Sequence, residues 1–252
     1  MKISKKLLAA CLMLAGSFFL FAEEESSVEN EYLNDIDGEI IMTLAESDEY
    51  DNKLVALQYL QNSIDGGNTS EQVIQALDRL AGEGINNQSR KNGRLMNNYP
   101  EIRRQACLLM GQIPTEHSKN QLVAIAVADA EPMVIAAAVK SLGDIGINNN
   151  DEVVDAISYA NRRNQVLNPT SSLAMEVLDA MEKLAPNTEN KKTMIDTCAR
   201  IASDYHYVTP VRNRAQKLLK NLSSQGGDSS SKNKNENNGK KVNTTNEVTG
   251  DW

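Results

Sequence analysis

The sequence predicts an all-α protein: an α-solenoid of about five helical hairpins. Three observations lead there. A pattern of apolar and small residues recurs along the chain, prolines at 100, 132, 169 and 210 stand where helices would begin at spacings of 32, 37 and 41 residues, and the apolar residues that follow them fall on helical faces. The composition permits such a fold. Of 252 residues, 40% are apolar and 24% charged, enough to bury a sizeable core, and this excludes both a fully disordered chain and a polytopic membrane protein.

The repeat is clearest in the middle. Pro100-Glu-Ile102-Arg103 is followed by Ala106, Leu109, Met110, Gly111 and Ile113, and Pro132-Met-Val134-Ile135 by Ala138, Leu142, Gly143 and Ile145. The two segments lie 32 residues apart and carry the same kinds of residue at the same offsets. Proline in a first helical turn forfeits no hydrogen bond, and Ile102, Ala106, Leu109 and Ile113 fall on one helical face. Gly111 and Gly143 are read as residues near the helix end, where the chain turns back. Each first helix is then followed by a polar stretch and a second helix, with Leu122, Ile125 and Ala126 in one case and Val153, Val154 and Ile157 in the other. Asp151 is read as the start of the latter.

Weaker copies extend the array in both directions. Leu54, Leu57 and Leu60 predict a first helix, and Val73, Ile74, Leu77 and Leu80 its mate. Leu173, Val177, Leu178 and Met181 follow Pro169, and Met194, Ile195, Cys198 and Ile201 follow Pro186. Pro210-Val211-Arg212 with Ala215, Leu218, Leu219 and Leu222 comes last. The repeat domain is therefore placed at residues 50–222.

These segments resemble HEAT repeats, in particular the short bacterial kind also found in phycobilisome-lyase proteins, with a Pro-x-Val-Arg-x-x-Ala pattern that ends in Leu-Gly-x-Ile. The resemblance implies a polar ladder between repeats, built from an Arg in the first helix and an Asp before the proline. Arg103 and Asp129 match it, whereas Ile135 replaces the next Arg, so an interruption is expected there. The resemblance also implies a protein-binding scaffold, with a lyase-like or other enzyme activity on the same scaffold as the alternative.

The flanks differ in character. Residues 1–22 read as a secretory signal peptide: Lys2, Lys5 and Lys6, then an apolar run from Leu7 to Phe21 that is too short to span a bilayer comfortably. Leu8-Ala9-Ala10-Cys11 resembles a lipobox, but its apolar stretch follows the cysteine rather than preceding it, so lipoprotein anchoring through Cys11 is not expected. The expected location is periplasmic or secreted, with no stable membrane insertion after cleavage. Residues 23–49 form an acidic, partly helical segment. Between Glu23 and Asn52 there are 12 acidic residues and no Lys or Arg. Residues 223–252 are rich in Ser, Asn, Lys and Gly and are read as a disordered polar tail, with Trp252 at its end.

Charge bears on partners. The net charge is −8, or −11 once the three signal lysines are set aside. Arg90, Lys91, Arg94, Arg103 and Arg104 form a basic cluster, but the overall acidity and the export signal argue against nucleic acid. Enzyme motifs are absent: there is no Gly-rich phosphate loop, no Gly-x-Ser-x-Gly, no Cys-x-x-Cys and no His-Glu-x-x-His. The deoxyhypusine hydroxylases, a HEAT-like family, hold iron with repeated His-Glu pairs, whereas Glu116-His117 occurs once and in reverse order. With only two histidines, no metal or cofactor and no catalytic residue is assigned. A glycan binder is disfavoured by the low aromatic content. Cys107 and Cys198 are read as small buried core residues and not as a disulfide.

The candidate site is a partner-binding rim on the connections between hairpins, which emerge on a common edge. The loop from Gly84 to Tyr99 brings Arg90, Lys91 and Arg94 with Leu95, Met96 and Tyr99. A loop near Asn161 brings Arg162 and Arg163. Tyr205, His206 and Tyr207 form a compact polar-aromatic group, read either as orienting a ligand or as rings covering the edge of the last repeat. Such basic and aromatic side chains suit an acidic protein surface, or the chain's own acidic head in an autoinhibited or self-associated state.

Overall fold

The computed structural model describes residues 28–230, and side chains from 36 to 224. The segment read as a signal peptide, with Cys11, and residues 231–252 of the segment read as a polar tail lie outside the described residues. The described residues form ten α-helices: α1 (Val28–Glu46), α2 (Tyr50–Asp65), α3 (Glu71–Ala81), α4 (Pro100–Met110), α5 (Glu116–Ala128), α6 (Pro132–Ile145), α7 (Glu152–Leu167), α8 (Ser171–Leu184), α9 (Lys192–Ser203) and α10 (Thr209–Ser230). Between α3 and α4 stands a small antiparallel hairpin of β1 (Arg90–Lys91) and β2 (Arg94–Leu95). The molecule is all-α in class, and no helix among the described residues is long and apolar enough to cross a membrane.

The helices alternate between two layers. In the first, α2 packs on α4, α4 on α6, α6 on α8 and α8 on α10; in the second, α1 packs on α3, α5 on α7 and α7 on α9. The acidic segment thus contributes α1 to the second layer, where Ile41 and Ala45 are buried against α2 and α3. At the joint between α3 and α5, Ile85 and Asn86 line a groove against Gln121, Ala124 and Ile125. His117 Nε2 lies 2.8 Å from Asp78 Oδ2 and bridges the two helices there.

Helix α6 lies at the centre, between α4, α5, α7 and α8. Its Val134, Ile135, Ala138, Val139 and Leu142 are fully buried, as expected of a helix that is apolar on nearly every side. Pro100 and Pro132 open α4 and α6 in their first turns, and Ile102, Ala106, Leu109 and Ile113 all enter the core. Cys107 and Cys198 are buried free thiols, pushed up to about 12 by burial.

One of the local expectations is corrected. Gly143 lies inside α6 and does not turn the chain; the left-handed cap is Gly146, with φ +72°. A Cβ on Gly143 would stand 2.8 Å from the Ala180 Cα, and one on Gly111 would stand 2.5 Å from Ser141 Oγ. Gly111 stands at the end of α4 as expected, and both glycines admit a close neighbouring helix. Asp151 precedes α7 as expected, but its side chain does not cap it. Asn148 does: its Oδ1 accepts from the Val153 and Val154 amides at 3.2 and 3.3 Å. The Asp151 carboxylate instead accepts from the amides of Glu189 and Asn190 ahead of α9.

Candidate partner-binding edge

The connections α1–α2, α3–α4, α5–α6, α7–α8 and α9–α10 lie along one edge, tied together by a run of buried and half-buried polar contacts. Lys53, 1% exposed, donates to the Ala45 carbonyl and to Glu83 Oε2, each at 2.9 Å. Glu83, equally buried, also accepts from the Asn97 amide through Oε1. Its main-chain carbonyl accepts from Arg103 Nη1 at 3.1 Å. Arg103 in turn holds Asp129 with two bonds, Nε to Oδ2 at 2.7 Å and Nη2 to Oδ1 at 3.3 Å. The Arg103–Asp129 rung is therefore present, and Ile135 is fully buried with no polar contact to offer. Arg163 reaches the same connection from α7, donating to the Val127 and Asp129 carbonyls. From α7, Gln165 Nε2 donates to Asp204 Oδ2 at 2.6 Å and reaches the last connection.

This framework positions the basic hairpin. Asn92 and Gly93 both take positive φ, +53° and +79°, the geometry of a two-residue hairpin turn. Its base is anchored by Asn97, 3% exposed, which accepts from the Ser89 amide at 2.8 Å and donates to the Asn87 carbonyl at 2.6 Å. Gly84, at φ +74°, allows the chain to pass: a Cβ there would lie 2.5 Å from the Asn97 carbonyl oxygen. Arg90, Lys91, Arg94 and Met96 are exposed, with Met96 at 50%. Arg90 bonds only within the hairpin, to Gln88 and the Gly93 carbonyl, and none of the three cations forms an ion pair among the described residues. Leu95 is half-buried. Tyr99 faces inward, its ring 5.1 Å edge-on to Tyr50 and its hydroxyl 3.5 Å from the Asp48 carbonyl. Burial, with Glu83, Glu49 and Asp48 nearby, raises its pKa above the ordinary tyrosine value.

Three other expected site residues are placed differently. Arg162 and Arg163 belong to α7, not to a loop. The helix runs on to Leu167 because its inner face buries Asn161 and Asn164, at 2% and 4% exposure, so the apolar period fades while the helix continues. Arg163 is spent on main-chain carbonyls, and Arg162 is exposed on the outer face of the layer. Tyr207 is a core residue, 3% exposed, its hydroxyl pushed up to about 12 by burial and by Asp204. Tyr205 is 79% exposed and stacks on His206 with ring centres 4.1 Å apart. Asp204 Oδ1 lies 2.7 Å from His206 Nδ1 and fixes that ring.

Sequence reasoning missed the most exposed apolar groups on this edge. Val166 and Leu167, at the end of α7, are 80% and 74% exposed, and Val208 in the last connection is 55% exposed. They flank Tyr205 on the two segments that the Gln165–Asp204 bond joins. A Val-Leu pair after an apolar-periodic helix reads as its final core turn, so no local signal marked it as outward-facing. No group of three or more His, Cys, Asp or Glu side chains is placed to hold a metal among the described residues. Comparison of the chain with protein-family models, with curated proteins and with solved structures finds no match.

Proposed function

We propose that this chain is an exported scaffold or adaptor, a solenoid of HEAT-like hairpins that binds another protein through the edge formed by its odd-to-even helix connections. The alternating two-layer packing and the Arg103–Asp129 rung support the repeat reading. The observation that carries the binding reading is the set of exposed apolar side chains at the end of α7 and on the last connection: Val166, Leu167, Tyr205 and Val208. Clustered apolar exposure on an otherwise polar surface marks interaction sites. The basic hairpin, with Arg90, Lys91 and Arg94 unpaired, adds complementarity to an acidic partner and would steer its approach. Export rests on the Lys-rich start and apolar run of residues 1–22.

The test uses two variants with wild-type helix content, Arg90→Glu/Lys91→Glu/Arg94→Glu and Leu167→Asp/Tyr205→Asp, in affinity capture from envelope extracts with quantitative mass spectrometry. The proposal expects a common partner to be lost from both. Recovery of every partner at wild-type yield with both variants overturns it.

A further inference from the structure

A second surface lies away from this edge, on the outside of the second layer, where α7 and α9 run side by side. The groove between them, about 230 Å3, is lined by Asp155, Ser158, Asn161 and Arg162 from α7 and by Thr193, Asp196, Thr197 and Arg200 from α9. The helices are in register: Thr193 Oγ1 donates to Asp155 Oδ1 at 3.0 Å, and Thr197 Oγ1 to Ser158 Oγ at 2.9 Å. The charges are therefore sorted along the groove, with both carboxylates toward the helix N-termini and both guanidiniums toward the C-termini.

Two features distinguish this groove from an ordinary solvated face. Asp196 and Arg200 are spaced i,i+4 on one helix, an arrangement that favours pairing, yet neither they nor Asp155 and Arg162 form an ion pair among the described residues. In addition, the Asn161 side chain is 98% buried by its 2% exposure, lines the groove, and makes no hydrogen bond. Its carboxamide still reaches the groove's solvent, so both its donor and its acceptor are open to a ligand there.

The ligand follows from the functional groups. A carboxamide offers one donor side and one acceptor side, the complement of a peptide bond. Along the helix axis Asp196 and Arg200 are separated by about 6 Å and Asp155 and Arg162 by about 10 Å, at 1.5 Å per residue. A free basic amino acid spans the shorter separation between its charges but not the longer, whereas an extended peptide, rising about 3.3 Å per residue, covers both with groups two or three residues apart. We infer that the α7–α9 groove binds an extended peptide segment, with Asn161 reading one peptide bond, a basic group at Asp155 and Asp196, and a carboxylate at Arg162 and Arg200. The carboxylate could belong to an acidic side chain or to a chain terminus, and the chemistry at the two arginines is the same.

The probe is acetyl-Lys-Gly-Glu-amide, titrated into the protein while the amide and Asn161 side-chain resonances are followed by NMR. Saturable shifts centred on α7 and α9, including the Asn161 Nδ2 signals, are expected. N-methylation of the Gly-Glu or Lys-Gly peptide bond should weaken binding at least tenfold for one of the two. Lys-Gly-Lys and Glu-Gly-Glu analogues should each weaken it by a similar factor. Arg162→Gln/Arg200→Gln, exposed changes that leave the melting temperature in place, should do the same. Acetyl-Lys-Gly-Gly with a free carboxylate tells the sources apart: tighter binding than the capped probe assigns the anionic end to a chain terminus, weaker binding to an acidic side chain. Absence of saturable shifts, or binding indifferent to both N-methylation and the double arginine change, overturns the inference. The Arg90/Lys91/Arg94 triple variant should bind the probe normally, so this site and the edge fail separately.

Discussion

Glu83→Gln is the sharpest test of the edge framework. Glu83 and Lys53 are each 1% exposed and meet at 2.9 Å. At an effective dielectric of 20 that separation corresponds to about 6 kcal/mol of attraction, offset by the desolvation of both groups. What matters for the variant is the imbalance it creates. Glutamine keeps the volume and an acceptor but removes the charge, so Lys53 stays buried with no anion. Removing one partner of a buried pair costs about 3–5 kcal/mol, and with the Ala45 carbonyl still accepting from Lys53 the lower end is expected. For a domain of this size that is a fall of roughly 6–12 °C in melting temperature, at about 2–4 °C per kcal/mol. Urea unfolding followed by circular dichroism measures the cost.

The double variant Lys53→Met/Glu83→Gln carries the argument further. With the stranded charge also removed, its cost should fall below the sum of the single variants by about 2 kcal/mol, a coupling expected of groups in direct contact. Hydrogen exchange should show the Glu83→Gln loss concentrated at residues 84–99, since Glu83 also holds Asn97 at the base of the hairpin. A cost below about 1 kcal/mol, or additive double-variant energies, would refute the reasoning, because such values belong to solvated pairs.

Gly143→Ala should destabilise by about 1–3 kcal/mol through overpacking against the Ala180 backbone, despite the better helix propensity of alanine; a stabilised variant in thermal melts would show that α6 and α8 can separate freely. The Asp204 carboxyl is held below its ordinary value: burial opposes the charge, but bonds from Gln165 and from the His206 amide and ring favour it more. A depressed carboxylate contributes stability above its unfolded value, about 3.9, and loses it as pH falls through the lower folded value. The chemical shifts of the Asp204 carboxyl carbon and of the Gln165 side-chain amide bonded to it should therefore hold their folded pattern down to about that pH and change below it, and Asp204→Asn should abolish this acid transition.

How much of this was legible depends on the range of the interaction. The helix starts at Pro100 and Pro132 could be read from the residues because proline at a first turn and a 3.6-residue apolar stripe are local properties. The Asn92-Gly93 turn was equally local, yet it went unread because Arg90, Lys91 and Arg94 flank it with charge instead of alternating apolar residues. The end of α7 was hidden for a different reason. Its inner face closes with Asn161 and Asn164, buried amides that look like loop residues when read singly. Tyr205 and Tyr207, two positions apart, carry the same side chain, and only packing puts one at 79% exposure and the other at 3%. Lys53 and Glu83 are 30 residues apart, and no pattern in either segment announces that they meet.

Three cations along this edge nonetheless follow one rule, and it explains how the edge is braced. A helix leaves its last carbonyls without partners and concentrates partial negative charge there. Along this edge a cation from a neighbouring helix answers that need three times. Lys53 takes the Ala45 carbonyl at the end of α1, Arg103 takes the Glu83 carbonyl just past α3, and Arg163 takes the Val127 and Asp129 carbonyls at the end of α5. Each cation comes from a different element and reaches across a joint, so capping a helix and locking two helices together are one interaction. At α7 the pattern changes: the Asn164 side-chain amide donates to the Ala160 carbonyl and the Asn168 main-chain amide to the Asn164 carbonyl, with no cation from a neighbouring helix drawn across the end. Val166 and Leu167 are left uncovered at that point. A framework that fixes the ends of α1, α3 and α5 and leaves the end of α7 without such a cation sets the exposed Val166 and Leu167 beside a braced edge, where a partner would meet little reorganisation, which is the energetic condition for tight docking.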